Sequence, residues 1–308
     1  MTASTPTKIV LPETNVVIES QATLASMTSF RVGGPAEWLA IPKTIEQLQE
    51  SYLWGLEQGY PITFLGAGSN LLISDLGLPG LIISTRQLKN HTIDADTGII
   101  KADAGQLIPR LATQAAKKGC AGFEWAVGIP GSVGGAVVMN AGAHGGCVAD
   151  SLIEAQVLQK DGAIAILSNQ QMQYGYRASV LQSQPQIVIH ATFQLTPGQD
   201  PEAVLSQTHQ HRDHRLSTQP YNWPSCGSVF RNPLPKTAGW LIEQSGLKGY
   251  MLGGAQVAQK HANFILNQGQ ASASDIFNLI HHVQETVDQK WGYRLHPEVK
   301  MLGEFPAR

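Results

Sequence analysis

The chain has 308 residues, of which 43% are hydrophobic and 14% are charged, with a formal net charge of −2 and a pI of about 6.5. A chain of this length can bury a large core and is expected to form two or three domains. Its balanced charge provides no overall field to attract nucleic acid or anionic lipid, so neither is an expected partner. Residues 1–8 lack an apolar signal core and the three cysteines form no Cys-x-x-Cys pair, which predicts a cytoplasmic protein with reduced thiols.

The pattern of apolar residues predicts a mixture of strands and helices along the chain. Residues 1–20 lack periodicity and are expected to form a loose arm, whereas Thr44 is a suitable N-cap for the helix that follows it. Residues 197–201 (Pro-Gly-Gln-Asp-Pro) are the best candidate linker. The most regular helix follows Ser274 and stops at Gly292. The strands are predicted at residues 38–41, 62–64, 81–84, 98–102, 152–158, 163–167, 187–195 and 294–302, and the helices at residues 45–56, 107–115, 202–216, 237–245 and 276–287.

Residues 126–143 form an apolar stretch without a charged side chain, rich in glycine and interrupted by Pro130. Its length is compatible with a membrane span, but Gly destabilises a helix interior by roughly 1 kcal/mol and Pro by about 3 kcal/mol. The composition instead favours a buried segment whose backbone closely approaches another group. Free N–H groups in such a segment can bind an anion, most often a phosphate. A cluster of tight turns in a packed core is the alternative.

A second glycine loop, residues 66–70 (Gly-Ala-Gly-Ser-Asn), follows the strand predicted at residues 62–64. Two loops with bare backbone N–H groups suit a diphosphate better than a single phosphate. The Gly-Lys-Ser/Thr ending of a P-loop is missing, and so is the third glycine of a Rossmann fingerprint, which opens a long helix. Together the two loops predict a dinucleotide that is bound in an unusual way.

Two further segments combine turn residues with functional groups. Arg177 lies between an aromatic and a small residue, which suits a fixed guanidinium fork for a carboxylate or phosphate; an ordinary surface arginine is the alternative. In residues 224–233, Gly227 permits a sharp turn that presents Ser228. The segment lacks the Gly-x-Ser-x-Gly pattern of serine hydrolases, and no local signature supports a nucleophilic Cys226.

The remaining polar candidates lie on the polar helix and near the C-terminus. Glu298 is a carboxylate in an otherwise strand-like run, for which an exposed strand face is the alternative. His211 and His214 stand three residues apart without a third ligand nearby, so a solvated helix face is expected rather than a metal site. Arg215 on the same helix is a candidate phosphate contact.

Taken together, these features resemble the UDP-N-acetylenolpyruvoylglucosamine reductase family, also called UDP-N-acetylmuramate dehydrogenases, which are flavoenzymes of bacterial cell-wall synthesis. Each segment alone is weakly specific, but all eight occur in the family's order and cover nearly the whole chain. The segments are residues 28–36, 65–72, 128–142, 176–179, 224–233, 238–249, 253–264 and 297–299.

The resemblance implies an α+β fold. An FAD-binding domain of the PCMH/vanillyl-alcohol-oxidase type, made of two α+β subdomains, would be followed by a C-terminal α+β substrate-binding domain. The expected subdomains are residues 1–85 and 86–200, the substrate-binding domain is residues 201–293, and residues 294–308 are expected to return to the first subdomain. The resemblance also implies non-covalent FAD, NADPH as co-substrate, UDP-N-acetylglucosamine-enolpyruvate as substrate, no metal, no membrane insertion and a monomer.

The resemblance further implies roles for single residues. Ser228 matches the proton donor, Arg177 the arginine beside the flavin and the substrate carboxylate, and Glu298 the glutamate that faces it. A proton on Glu298 would require a raised pKa, for which burial is the expected cause. The implied substrate-binding residues are Arg215, Asn232, Gln256 and Lys260. The implied FAD-binding residues are Gly66, Ala67, Gly68, Ser69, Asn70, Gly128, Pro130, Gly131, Ser132, Gly134, Gly135 and Ala136.

Two positions depart from the wider family. After Arg177 the next strand is predicted as early as residue 187, which leaves no room for the tyrosine-bearing loop of one subclass, so the chain resembles the shorter subclass. Lys300 stands where many members carry arginine, which leaves an FAD contact there open.

Two alternative functions remain. One is an FAD oxidase of the same superfamily acting on a sugar or alcohol, with the flavin tethered through a residue such as His144 or Cys147. The other is a nucleotide-sugar-binding module with a degenerate site.

Overall fold

The computed structural model describes residues 7–184 and 186–306. Three sheets of three or five strands, with helices packed on them, account for most of the regular structure. None of the helices in the described ranges combines the length and the hydropathy needed to cross a lipid bilayer.

The first part of the chain forms a mixed five-stranded sheet. Its elements are β1 (Lys8–Val10), β2 (Val17–Thr23), β3 (Pro35–Ala40), α1 (Ile45–Glu57), β4 (Ile62–Leu65), β5 (Leu71–Ile73) and β6 (Leu78–Ser84). The strand order is β1-β2-β3-β6-β4, antiparallel from β1 to β3 and parallel among β3, β6 and β4. The Thr44 hydroxyl accepts a hydrogen bond from the N–H of Gln47 (3.2 Å), which confirms the predicted N-cap of α1.

The loose arm expected for residues 1–20 is wrong where the chain is described, because β1 and β2 extend the first sheet. Leu11 and Ile18 are buried and share a hydrophobic cluster with Leu48 of α1. These strands are short and partly polar, and pairing with distant partners rather than local periodicity stabilises them. The first six residues lie outside the described part of the chain.

The middle of the chain forms an antiparallel sheet. Its elements are β7 (His91–Ile93), β8 (Ile99–Asp103), α2 (Ile108–Lys117), α3 (Val133–Met139), β9 (Gly142–Ala143), β10 (Gly146–Cys147), β11 (Leu152–Leu158), β12 (Ile164–Ser168), β13 (Ile187–Gln194) and α4 (Pro201–Thr218). The order is β12-β11-β13-β8-β7. Leu111 of α2 and Val137 of α3 share one core cluster with Phe193 of β13. The glycine-rich stretch is therefore buried only in part, since Pro130 and Gly135 are exposed, and it contains a helix that its glycines did not predict.

The last part of the chain packs α5 and α6 on a three-stranded sheet. Its elements are α5 (Ala238–Gln244), β14 (Met251–Leu252), β15 (Ala255–Val257), β16 (Ile265–Asn267), α6 (Ala273–Trp291) and β17 (Lys300–Leu302). The apolar residues predicted to form one face of α6 are all buried: Ile276, Leu279, Ile280, Val283 and Val287. The helix begins at Ala273, two residues earlier than predicted, because Ser272 and Asp275 form a capping box in which each side chain accepts the other's N–H (both 3.0 Å).

Most of the strand predicted at residues 294–302 is not a strand. Only residues 300–302 form a strand, β17, which pairs in parallel with β5, with Lys300 opposite Leu71. This pairing returns the C-terminal segment to the edge of the first glycine loop, residues 66–70, and so determines where Glu298 lies.

Asp75, in the loop after β5, connects this region to α6. Its carboxylate accepts hydrogen bonds from the N–H groups of Ala273 and Ser274 (both 2.8 Å) and from the Ser274 hydroxyl (2.7 Å). A carboxylate at this position satisfies N–H groups that have no partner within the helix and complements the helix dipole. Asp75 therefore helps to hold α6 against the part of the chain that carries the first glycine loop.

Replacing Asp75 by alanine should lower the free energy of unfolding by about 1–2 kcal/mol, because the first N–H groups of α6 lose their acceptors. Urea unfolding followed by circular dichroism measures this change. The matched control is Asp96→Ala, an exposed position in the turn between β7 and β8, which should change the free energy by less than about 0.5 kcal/mol. Equal effects of the two substitutions would contradict a stabilising role for Asp75.

Candidate active site

A cleft of about 1000 Å³ is lined by residues from all three parts of the fold. This size suits a large organic ligand. Most residues singled out in the sequence line it: Gly66, Ala67, Gly68, Ser69, Asn70, Pro130, Gly131, Ser132, Gly134, Gly135, Ala136, Arg177, Arg215, Ser228, Asn232, Lys260, Glu298 and Lys300. Gly128 and Gln256 are not part of the cleft wall.

The two glycine loops touch each other in this wall. A Cβ atom on Gly66 would lie 2.6 Å from Ser132 Oγ. A Cβ atom on Gly131 would lie 3.4 Å from Ser69 Oγ. The Ser132 hydroxyl also accepts a hydrogen bond from the N–H of Gly135 (3.5 Å) as the N-cap of α3. The loops, which are about sixty residues apart in sequence, therefore form one continuous surface.

The glycines of this surface serve two different purposes. Gly68 has a φ of 69°, and a Cβ there would lie 2.0 Å from the carbonyl oxygen of Met27, while a Cβ on Gly134 would lie 2.9 Å from a neighbouring side chain. At Gly131 and Gly135 the nearest atoms would be at 3.4 and 3.6 Å, which is ordinary contact. Gly135 lies within α3, where glycine costs roughly 1 kcal/mol relative to alanine, and the bare backbone at both positions indicates that a bulky group approaches the wall closely.

Arg177 lies at the tip of a tight hairpin, in which Gly175 and Ala178 exchange backbone hydrogen bonds (3.1 and 3.2 Å). Its Nε lies 3.1 Å from Oε1 of Glu298, and its Nη2 donates to the carbonyl of Gly142 (2.7 Å). Only 23% of the side chain is exposed, so the alternative of an ordinary surface arginine is wrong. The guanidinium is fixed on two sides.

The Arg177 hairpin is anchored to the end of α3. Asn140 Nδ2 donates to the carbonyl of Gly175 (3.0 Å), and the Ser179 hydroxyl donates to the carbonyl of Val138 (2.6 Å). Because α3 begins in the second glycine loop, the hairpin and that loop belong to one rigid unit. Sequence analysis did not single out Asn140; the available signal was an asparagine where a glycine-rich helix ends.

Ser228 lies in an extended segment held between two others. The N–H of Val229 donates to the carbonyl of Asn263 (2.8 Å), and the N–H of Glu298 donates to the carbonyl of Val229 (2.7 Å). The Asn263 side chain pairs with both backbone groups of Phe230, accepting from its N–H (3.0 Å) and donating to its carbonyl (2.8 Å). Ser228 and Glu298 are thereby placed on adjacent segments. The role of Asn263 was missed, although an asparagine directly before an apolar strand was a usable signal.

Glu298 is tied to the first glycine loop through its backbone. Asn70 Nδ2 donates to the carbonyl of Glu298 (3.1 Å), and the N–H of Lys300 donates to the carbonyl of Asn70 (3.0 Å). Burial raises the pKa of Glu298, while the positive charges of Arg177 and Arg231 oppose this rise. The expected direction of the shift is confirmed, and the alternative of an exposed strand face is wrong because only 19% of the side chain is exposed.

Arg215, at the C-terminal end of α4, explains why Gly128 is a glycine. A Cβ on Gly128 would lie 2.1 Å from Cδ of Arg215, so the missing side chain leaves room for the aliphatic part of this arginine. Gly128 itself does not line the cleft. Arg215 Nη2 donates to Oε1 of Gln219 (3.0 Å) and its Nε donates to the hydroxyl of Tyr221 (3.3 Å). These contacts hold the guanidinium in the wall of the cleft.

The other implied substrate-binding residues differ in their placement. Asn232 Oδ1 accepts from the N–H of Ala238 at the start of α5 (3.0 Å), and Lys260 Nζ donates to a carbonyl at the end of α4 (2.9 Å); both side chains also line the cleft. Gln256 lies on β15 and donates to the carbonyl of Gly249 (3.2 Å). The structure therefore does not bring Gln256 to the cleft with the others.

His214 is exposed, as predicted for a solvated helix face, whereas His211 is half-buried. The ring of His144, at the tip of the β9–β10 hairpin, lies 4.2 Å from the ring of His211 and 5.7 Å from that of His214, measured between centroids. Burial lowers the pKa of His144, and the neighbouring imidazoles and Arg215 lower it further. Within residues 7–184 and 186–306, no group of three or more His, Cys, Asp or Glu side chains is arranged to hold a metal ion.

Similarity to known proteins decides the family. The UDP-N-acetylenolpyruvoylglucosamine reductase of Acaryochloris marina is 62% identical to this chain over 306 residues, which cover 99% of each protein. That of Trichormus variabilis is 58% identical over 299 residues, which cover 97% of this chain and 90% of the relative. The chain belongs to the UDP-N-acetylenolpyruvoylglucosamine reductase family. The C-terminal domain model of this reductase family matches residues 219–302, and an FAD binding domain model matches residues 36–168.

A solved structure of the reductase family has the same fold. The crystal structure of the enzyme (MurB) from Thermus caldophilus superposes with a TM-score of 0.80 at 34% identity, covering 94% of this chain and all of that one. The implied fold class is thereby confirmed: an α+β fold with a PCMH-type FAD-binding domain and a C-terminal domain characteristic of the reductases. The protein is a flavoenzyme of peptidoglycan precursor synthesis that contains FAD and uses NADPH as its reductant.

The cleft fits FAD on grounds independent of these similarities. The bare backbone at Gly131 and Gly135 leaves room for a bulky group at the wall formed by the two loops. The side-chain carbonyl oxygen of Gln186, also in the cleft wall, is buried without a hydrogen-bond donor among the described residues. A buried acceptor of this kind is costly unless a ligand supplies the donor, and FAD carries several N–H and O–H groups.

Replacing Gly131 by valine should weaken FAD binding about tenfold or more, because the added side chain occupies the surface that the cofactor approaches. Fluorescence titration of the FAD-free protein measures the affinity. The control is Gly239→Val, on the α5 side of the same cleft, which should bind FAD as the wild type does. An unchanged FAD affinity in the Gly131 variant would contradict this assignment of the glycine wall.

Burial of Glu298 predicts a pH-dependent contribution to stability. Because its pKa is raised above the usual 4.5, the folded state holds a proton that the unfolded state has lost. This contribution is fully present below pH 4.5 and is lost as the pH rises through the raised pKa. The unfolding free energy of Glu298→Gln should therefore increase relative to the wild type as the pH rises through this window, by at most about 1.4 kcal/mol per pH unit. Urea unfolding at a series of pH values measures the difference, and a flat or falling difference would contradict the raised pKa.

Proposed function

We propose that this cleft reduces the enolpyruvyl ether of UDP-N-acetylglucosamine-enolpyruvate to UDP-N-acetylmuramate, with Ser228, Arg177 and Glu298 as the catalytic residues. The observation that carries the assignment of roles is the convergence of these three residues in one cleft, with Arg177 and Glu298 in contact at 3.1 Å. The two glycine loops, apart from Gly128, would hold the non-covalent FAD.

When bound and reduced by NADPH, FAD supplies the hydride that the vinyl CH₂ carbon of the substrate receives. Negative charge then develops on the neighbouring carbon and spreads into the substrate carboxylate. Arg177 stabilises this charge, because a fixed cation placed where charge develops is usually the largest catalytic contribution. Its contacts with Glu298 and Gly142 keep the guanidinium in place and so reduce the cost of reorganisation.

Glu298 acts on the same carboxylate. Burial raises its pKa, which favours the acid form, and in that form Glu298 would donate a hydrogen bond to a carboxylate oxygen of the substrate. The protonated acid and the guanidinium of Arg177 would then share the charge of the enediolate between them.

Ser228 donates the proton that completes the reaction. A serine hydroxyl is a weak acid in water, but the carbon it protonates here is strongly basic, so its acidity is sufficient. The segment that carries Ser228 is held by backbone hydrogen bonds on both sides, which fixes the position of the Ser228 backbone in the cleft wall.

The nucleotide end of the substrate would be bound by Arg215, Asn232 and Lys260, whose side chains line the cleft. The position of Gln256 on β15 favours a structural role for that residue instead.

We further propose that the protein is a monomer, since one chain supplies both loops and all three catalytic side chains. A cytoplasmic location is proposed because NADPH and UDP-sugars are cytoplasmic metabolites.

Replacing Ser228 by alanine should separate the two half-reactions. Reduction of the bound flavin by NADPH should stay within about twofold of the wild type, whereas reoxidation by the enolpyruvyl substrate should slow by at least about 10²-fold, because the proton donor is lost. Stopped-flow absorbance of the flavin measures both rates. The control is Ser225→Ala, three residues earlier, which should leave both rates unchanged.

Equal losses in the two half-reactions of Ser228→Ala would indicate a structural rather than a catalytic serine.

The alternative of an oxidase of the same superfamily has a separate test. If the yellow colour stays with the chain after denaturation, the flavin is covalently tethered, which would contradict the non-covalent FAD of this proposal.

A further inference from the structure

Asn140 ends α3 in a backbone conformation that favours glycine. Its φ and ψ are 43° and 56°, in the left-handed region that glycine adopts at the lowest cost and asparagine tolerates. Glycine is abundant in the same stretch of sequence, at Gly134, Gly135 and Gly142. Backbone geometry alone therefore does not explain an asparagine at this position, which points to a task for its side chain.

Both halves of the Asn140 carboxamide are hydrogen-bonded. Nδ2 donates to the carbonyl of Gly175 and Oδ1 accepts from the N–H of Ala149 (both 3.0 Å), with only 7% of the residue exposed. Gly175 closes the hairpin that carries Arg177. Ala149 follows the β9–β10 hairpin, whose Gly142 carbonyl accepts the Arg177 Nη2 hydrogen bond (2.7 Å). One buried side chain thus links the two segments that hold Arg177.

We propose that Asn140 is a positioning residue for Arg177. Its carboxamide fixes both the turn beneath the guanidinium and the hairpin whose carbonyl the guanidinium contacts, and thereby directs Arg177 at the substrate carboxylate. The catalytic use of Arg177 in this inference rests on the proposed function. Support from a neighbour is needed because Arg177 has a φ of 54°, an uncommon conformation for a residue other than glycine.

The test uses the FAD-bound enzyme and two variants. Asn140→Asp keeps the size of the side chain, its tolerance of left-handed backbone and an oxygen for the Ala149 N–H, but it loses the donor to Gly175. Asn140→Gly keeps the backbone conformation and removes both hydrogen bonds. Because a misplacement of about 1 Å can cost about 10²-fold in rate, flavin reoxidation by the enolpyruvyl substrate should slow by about 10- to 100-fold in each variant. Flavin reduction by NADPH should stay within about twofold.

Two readouts distinguish positioning from a general structural role. In an Arg177→Ala background, Asn140→Asp should cause little further loss of reoxidation rate, since residues that act through one another are not additive. In calorimetric titrations, the affinity for UDP-N-acetylmuramate, which carries a carboxylate, should fall as much in Asn140→Asp as in Arg177→Ala. The affinity for UDP, which has no carboxylate, should stay unchanged.

Additive losses in the double variant, equal losses in both half-reactions, or loss of FAD from both single variants would overturn the proposal. The proposed function itself has a separate test in the wild-type enzyme. It would be contradicted if NADPH reduced the flavin but the enolpyruvyl substrate did not reoxidise it. The calorimetric comparison would still test Asn140 in that case, because it measures binding rather than turnover.

Discussion

The contact between Arg177 and Glu298 joins the two sides of the cleft, and the geometry of the site depends on it. Arg177 is connected through its hairpin to α3 and the second glycine loop, whereas Glu298 is connected through Asn70 to the first loop and through Val229 to the segment of Ser228. Neither side chain is more than a quarter exposed. Because each group has lost most of its water, each requires the other as a partner, and this mutual requirement fixes the relative position of elements that are distant in sequence.

The same burial accounts for the chemistry of the cleft. It raises the pKa of Glu298 and so favours the acid form, and it strengthens the field of the nearby guanidinium at a developing negative charge. Two further features of the cleft make sense only with a bound cofactor: the bare backbone at Gly131 and the unpaired buried carbonyl oxygen of Gln186. Each reduces the stability of the protein alone and becomes favourable when a cofactor occupies the cleft, as is common at functional sites.

Local patterns predicted those features whose physical cause is local. The apolar face of α6, the N-cap of α1 and the limits of β11 follow from periodicity and capping within a few residues. The pairing of β1 and β2 and the irregular course of residues 294–302 depend on partners far away, so sequence patterns missed them. Gly128 and Gly131 look equivalent in sequence, and only the packing of Arg215 distinguishes them. The catalytic roles came from the family resemblance, and Asn140 escaped notice because its partner carbonyl lies 35 residues away.

A crystal structure of the oxidised holoenzyme with the enolpyruvyl substrate bound tests the central claim most directly, since the oxidised flavin cannot turn the substrate over. The account predicts that the substrate carboxylate lies within hydrogen-bond distance of both Arg177 and Glu298, with the Ser228 hydroxyl beside the carbon that receives the proton. A substrate carboxylate bound elsewhere in the cleft, with the Arg177–Glu298 pair left facing solvent, would contradict it.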